Sequence, residues 1–245
     1  MPATENNTAP PDTGADDAAF AALTRCGLNL HAVIDAAALP ATVHAALLRD
    51  FAPAHAVRQL ILVGNAGPTL WRALQADGAR GSDPIDEFSL RTVAAWFAAQ
   101  CPGHRHTVLY PGERPVGLQA LGRLAGWHHA TPFKVGILPY WGSWFGYRVA
   151  LLADSALPAT APLTVDSPCE RCADRPCVTA CPARAMADGE FSLERCVAHR
   201  RQPASPCRSA CLARDACPVG RAQRYDDAHM RHTYETSLRA IERYF

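Results

Sequence analysis

Apolar positions in the first two thirds of the chain switch between two periods. Leu28–Val33 and Val57–Gly64 are short and almost wholly apolar, the pattern of strands buried in a core. Ala41–Phe51, entered after Pro40, repeats apolar residues at helical spacing, and Leu70–Gln75 does so after Gly67-Pro68. Asp83-Pro84 opens the strongest helix, because proline suits the first helical position and acidic side chains favour the first turn. Ile85, Phe88, Val93, Trp96 and Phe97 continue it until Pro102-Gly103. Thr107–Tyr110 reads as a strand, Val116–Leu124 as a helix, and Gly136–Tyr140 and Phe145–Leu152 as further strands. After the proline-bearing linker Leu157–Pro162 a final helix is predicted over Ala228–Tyr244. Strands interleaved with helices predict an α+β layered domain over residues 17–160. Residues 1–16 read as a polar tail and 161–245 as a second domain.

Composition narrows the picture. With 49% hydrophobic and 19% charged residues the chain is globular. A formal net charge of +1 makes nucleic acid an improbable partner through bulk electrostatics. The amino terminus lacks the basic and apolar blocks of a leader, and no run reaches about eighteen apolar residues, so the expectation is no membrane and a reducing cytoplasm.

Eight of the ten cysteines fall between Cys169 and Cys217. Cys169-x2-Cys172-x4-Cys177-x3-Cys181-Pro182 differs from the bacterial ferredoxin run by two extra residues between the second and third thiols. Cys196 stands alone; Cys207, Cys211 and Cys217-Pro218 follow. In the ferredoxin pattern the fourth cysteine serves the other cluster. Crossed ligation then predicts one [4Fe–4S] cluster on Cys169, Cys172, Cys177 and Cys217, and another on Cys181, Cys196, Cys207 and Cys211. Disulfides would need an oxidising compartment. Structural zinc favours separate Cys-x2-Cys pairs, and only Cys169/Cys172 has that spacing. Cys26 and Cys101 read as buried apolar residues, and His229 and His232 as solvated.

Three of the five tryptophans lie in Trp127–Tyr147, with Phe133, Tyr140, Phe145 and Tyr147 beside them. Core packing explains any one of these, but Tyr140-Trp-Gly142-Ser143-Trp144-Phe145 also suits a wall for a large flat ligand. His128 and His129 are surface residues, polar contacts or axial ligands.

Tyr110-Pro-Gly-Glu-Arg-Pro115, Leu124-Ala-Gly-Trp127, Gly142-Ser-Trp-Phe145, Arg148 and Asp83-Pro-Ile-Asp86 resemble motifs of the cobalamin-processing CblC family. The Gly-Trp turn, Gly-Ser-Trp-Phe and the double-cluster tail also resemble the epoxyqueuosine reductases. The resemblance covers most of residues 80–220. It implies a flavin-reductase-like, CblC-like α/β sandwich domain followed by a ferredoxin-like double [4Fe–4S] domain, α+β overall. It implies cobalamin held by Trp127, His128, Tyr140, Gly142, Ser143, Trp144 and Phe145, with Tyr110 and Arg148 at the reacting side. A gapless reading back from Gly126-Trp127 puts Tyr110 where epoxyqueuosine reductases carry a proton-donating aspartate. A phenol, with a reference pKa of about 10 against about 4, is the weaker acid.

The expected function is passage of single electrons through two [4Fe–4S] clusters to cobalamin, for cobalt reduction, upper-ligand removal or a cobalamin-dependent reduction. The implied partners are cobalamin or a small-molecule substrate, and an electron donor of the flavodoxin or ferredoxin reductase type. The alternatives are a ferredoxin-type carrier without corrin and an epoxyqueuosine-reductase-like enzyme acting on tRNA.

Overall fold

A computed structural model describes residues 18–244, so the tail expected over residues 1–16 lies outside the described residues. Two compact units emerge. One comprises residues 18–128 and 145–164, the other 129–144 and 165–244, among those described.

The first unit runs α1 (Ala21–Arg25), β1 (Leu30–Asp35), α2 (Ala41–Phe51), β2 (Gln59–Ala66), α3 (Thr69–Asp77), α4 (Pro84–Gln100), β3 (His106–Tyr110), α5 (Leu118–Leu124) and β4 (Phe145–Ala153). The strands form one sheet in the order β1-β2-β4-β3, every neighbouring pair antiparallel. This is the α+β class expected from the pattern. Every residue of β2 is buried, which is why it reads as a continuous apolar run and not as an alternation. Val33, Ile61, Val63, Val149 and Leu151 pack with Leu23 of α1, Leu70 and Leu74 of α3, and Ile85, Phe88, Val93, Trp96 and Phe97 of α4. Burying each such side chain stabilises the fold by about 1.5–3 kcal/mol.

Helix α4 starts where Asp83 caps it, its carboxylate accepting from the Asp86 amide at 3.4 Å with Pro84 at the first position. Trp96 Nε1 donates to the Ala19 carbonyl at 2.7 Å and ties the helix to the chain before α1. Asp86 lies at the other end, in the first turn of α4.

Two irregularities in the sheet bear on chemistry. Between β2 and β4 the register passes from Val63↔Val149 to Gly64↔Tyr147, leaving Arg148 as the extra residue. Between β3 and β4 it passes from Val108↔Leu151 to Tyr110↔Ala150, leaving Leu109 extra just before Tyr110. A bulge turns the neighbouring side chains away from strict alternation.

The second unit carries α6 (Pro176–Thr179), α7 (Leu193–Arg201), α8 (Leu212–Asp215) and α9 (Asp227–Tyr244). Its apolar clusters are small. Phe133, Cys177, Met186 and Ala213 form one, and Trp144, Tyr225 and Met230 another. Cores of this size leave a domain dependent on cross-links or metal.

The strand expected at Gly136–Tyr140 does not form. Leu138 and Gly142 exchange backbone hydrogen bonds (2.9 and 2.8 Å) around a tight turn, with only isolated bridges here and at His129↔Ile137. Tyr140 and Gly142 both take positive φ, 63° and 60°, which no strand tolerates. Among the described residues no helix is long and apolar enough to cross a membrane.

Candidate functional site

All ten cysteines are free thiols. Eight of them gather into two foursomes within the second unit. Cys169 is influenced electrostatically by Cys217, Cys177 and Cys172, and Cys177 in turn by Cys217 and Cys172. Cys196 is influenced by Cys211, Cys181 and Cys207. Chain order is therefore crossed: Cys217 joins the first three thiols, and Cys181 joins the later three.

Local structure explains the placement. Cys169 and Cys207 each sit in a short 3-10 turn opened by Ser-Pro, and the hydroxyls of Ser167 and Ser205 accept from their amides at 3.3 and 3.2 Å. Cys177 lies in the first turn of α6 behind Pro176, Cys196 on α7, and Cys211 at the start of α8. A cavity lined by Cys169, Cys172, Cys177, Cys217, Phe133 and Val219 marks the first foursome.

Burial first, then the neighbouring thiols, pushes Cys169 up to about 11. Burial also pushes Cys196 up to about 11, against the pull of Arg200. Bare thiols crowded in this way resist ionisation until a metal supplies positive charge. Among the described residues no three His, Cys, Asp or Glu side chains are close enough to share a single ion. The donor set of each foursome, four sulfurs and no nitrogen, is one that iron–sulfur cubanes take.

The segment Tyr140–Trp144 does not form an open aromatic wall. Gly142, at φ +60°, lies against the loop after Cys217, where an added Cβ would sit 2.2 Å from the Val219 carbonyl oxygen. Gly220, at φ +69°, makes the reciprocal approach to Trp141 and Gly142. Ser143 is buried and its Oγ accepts from Arg214 Nε at 3.1 Å. Trp144 is fully buried, with the Arg214 guanidinium 4.4 Å from its ring centroid and Tyr225 edge-on at 5.6 Å. Gly142, Ser143 and Trp144, expected beside a flat ligand, contact the Cys217 loop and Arg214 in this structure. Tyr140 remains half-buried, edge-on to Trp141 at 4.9 Å.

The first unit holds a second constellation. Tyr110 Oη donates to Asp86 Oδ2 at 3.1 Å. Burial, then repulsion from Asp83, raises the Asp86 carboxyl above its ordinary value, although Arg148 and the tyrosine hydrogen bond pull the other way. Burial and the Asp86 charge raise Tyr110 as well. Arg148 Nε donates to Oδ1 of the buried Asn65 at 2.6 Å. Gly146 leaves room for this guanidinium, since a Cβ there would sit 2.8 Å from Arg148 Nη2. Tyr110 thus hydrogen-bonds the Asp86 carboxyl and Arg148 acts on it through space, Tyr110 next to one bulge and Arg148 at the other.

Trp127 is buried, as is Phe145, which meets Tyr147 edge-on at 5.9 Å. His128 is buried and not at the surface, its Nδ1 3.2 Å from Tyr147 Oη. His229, expected to be solvated, is buried and stacks on Tyr225 at 3.8 Å. Cys101 is buried and Cys26 partly so, both against the main core.

Sequence reasoning used Asp86 as a helix signal and missed it as an acid. The spacing Asp83-x-x-Asp86, which sets two carboxylates in one helical turn, was the available sign. Asn65 and Arg214 gave none, because their roles depend on partners 83 and 71 residues away.

No family model matches the chain, and neither does any curated protein. Among solved structures it is similar to epoxyqueuosine reductase from Streptococcus thermophilus (TM-score 0.53, 13% identity, 85% of this chain and 66% of that one). It is also similar to an epoxyqueuosine reductase solved with an epoxyqueuosine-modified tRNA-Tyr stem loop (TM-score 0.54, 12% identity, 87% and 67%). A reductive dehalogenase studied for B12-dependent dehalogenation aligns less well (TM-score 0.48, 15% identity, 86% and 32%). The likenesses to the epoxyqueuosine reductases establish a shared fold, and the chain spans about two thirds of the length of those it matches.

Proposed function

We propose that this chain is a cobalamin-related oxidoreductase that takes single electrons through two [4Fe–4S] clusters and delivers them, with a proton, to a small reducible substrate or an upper ligand of cobalamin. The observation that supports it most is the sorting of eight thiols into two crossed foursomes within a fold like that of the epoxyqueuosine reductases. Cys169, Cys172, Cys177 and Cys217 would hold one cluster, and Cys181, Cys196, Cys207 and Cys211 the other. The clusters supply one-electron transfer and cobalamin a reducible metal centre. The protein's own residues do the rest.

Burial raises the proton affinity of Asp86 and Tyr110 hydrogen-bonds it, so the pair can pass a proton to a leaving oxygen. Arg148, fixed by Asn65, supplies positive charge for an anionic substrate group. Buried Gly142, Ser143 and Trp144 lend the corrin reading no support. It draws instead on the resemblance of Tyr110–Pro115, Leu124–Trp127 and Arg148 to the CblC and epoxyqueuosine reductase motifs, and on the fold. An electron donor of the flavodoxin or ferredoxin reductase type completes the reaction.

A second reading, reduction of epoxyqueuosine in tRNA, has two observations in its favour. A structural neighbour was solved with a modified tRNA stem loop, which weakens the expectation against nucleic acid. Asp86 also offers a carboxylic acid beside the phenol that replaces the aspartate of that family.

Anaerobic protein should carry about eight iron and eight sulfide per chain, and added cobalamin should change its visible spectrum. Reduced protein is then offered cyanocobalamin and an epoxyqueuosine-containing RNA in parallel. Loss of cyanide alone supports the first reading and RNA turnover the second. Full clusters with an unchanged cobalamin spectrum would leave a ferredoxin-type carrier.

A further inference from the structure

Two arginines are buried in the second unit with no carboxylate at ion-pair distance among the described residues. Arg200 and Arg214 are 7% and 4% exposed. Arg200 Nε donates to the Cys207 carbonyl at 3.1 Å and Nη2 to the Tyr234 carbonyl at 2.8 Å. Arg214 lies over Trp144 and Tyr225, with centroids 4.4 and 5.1 Å away, and also hydrogen-bonds Tyr234. Tyr234 in turn hydrogen-bonds Cys211. A buried cation is strongly unfavourable unless negative charge compensates it, and ring faces and carbonyls supply only part of that. The anionic groups at hand are the Asp215 carboxylate, which also acts on Arg214 and Arg224, and the thiolate foursome of Cys181, Cys196, Cys207 and Cys211.

The first foursome is different. Its cavity is lined by Phe133, Ile137, Pro176 and Val219, and the arginines near it, Arg175 and Arg221, are exposed to screening water. Arg224 is half-buried, donates to the Asp215 carbonyl and is the principal positive charge acting on the Asp215 carboxyl.

We propose that Arg200, Arg214 and Tyr234 make the Cys181/Cys196/Cys207/Cys211 cluster the higher-potential one, so that an electron entering from a reduced flavodoxin-type donor rests there. This deepens, and rests on, the two-cluster reading above. Reduction adds one negative charge to a cluster and breaks no bond. Fixed positive charge and hydrogen bonds to the sulfurs favour the reduced form and raise the potential. Arg214 acts through Tyr234 and through space, as a tuning residue and not a ligand.

The test is a stepwise dithionite titration of the full anaerobic protein, followed by electron paramagnetic resonance, with iron and sulfide measured for every variant. Two reduction steps are expected, and Cys196→Ser should remove the upper one. Arg214→Met should lower the upper step by about tenfold in electron partition, about 59 mV for one electron, and leave the lower step in place. Arg214→Lys should recover part of the shift. Tyr234→Phe, which keeps the ring and loses one hydrogen bond, should move the same step down by less, and it serves as the test if Arg214→Met fails to fold. An upper step that stays fixed in Tyr234→Phe and any folded Arg214 variant, or loss of the lower step in Cys196→Ser, overturns the inference while leaving two clusters standing. Parent protein without about eight iron overturns the functional reading itself, and this inference with it.

Discussion

Replacing Gly142 by alanine probes the contact on which the first foursome depends. At φ +60° a residue with a Cβ loses about 1–2 kcal/mol relative to a right-handed conformation. The added methyl would stand 2.2 Å from the Val219 oxygen, 2.9 Å from its carbonyl carbon and 3.2 Å from Gly220 Cα. All three are backbone atoms, so no flexible side chain can yield and the loop carrying Cys217 must move. Forcing a buried methyl into such a contact costs about 1–3 kcal/mol more, for a total of roughly 2–5 kcal/mol. Gly189→Ala is the matched control in the same unit: its φ is +87° and nothing lies within 4 Å of an added Cβ. It should lose only the conformational part, about 1–2 kcal/mol. Urea midpoints of both variants, with iron content after anaerobic reconstitution, separate the two contributions. Gly142→Ala should shed about half its iron, from the Cys169 side, while Gly189→Ala keeps all of it. Equal midpoints and equal iron in the two variants would refute the packing argument.

Cys217→Ser should damage the cluster of Cys169, Cys172 and Cys177 and spare the other; loss confined to the Cys207 and Cys211 side in iron and paramagnetic resonance analysis would reject crossed ligation. Trp144→Ala should destabilise the protein by about 3–5 kcal/mol through the void beside Arg214, read as a lower urea midpoint with or without cobalamin. For Asp86, a folded pKa above the unfolded value means the folded state binds the extra proton, so stability falls as pH rises from the ordinary carboxyl value of 3.8 through the raised folded value. Asp86→Asn, which keeps an acceptor for Tyr110, should therefore be more stable than the parent at neutral pH and no more stable at the acid end; a constant difference across a pH series of urea melts would exclude this linkage.

Local pattern carried most of the sheet unit. The β2 run was legible because apolar residues throughout leave a strand no solvent face, and α4 because cap, proline and apolar spacing agree within a single stretch. The cysteine spacing likewise announced two groups of thiols, since few residues separate neighbours within each run. Long-range pairing was not legible. Gly142-Ser-Trp144 carries the composition of a ligand wall, yet it is spent on the Cys217 loop and on Arg214, because Gly142 and Gly220 close on each other across 78 residues of sequence. The strand expected at Gly136–Tyr140 was lost to the same turn, whose positive φ angles no apolar pattern reveals. Asp86 became a candidate acid only when a helix start met the end of β3, where Tyr110 hydrogen-bonds it and Arg148 acts on it through space. A carboxyl's burial and its neighbours' charges set its acidity, and both depend on packing between segments far apart in the chain.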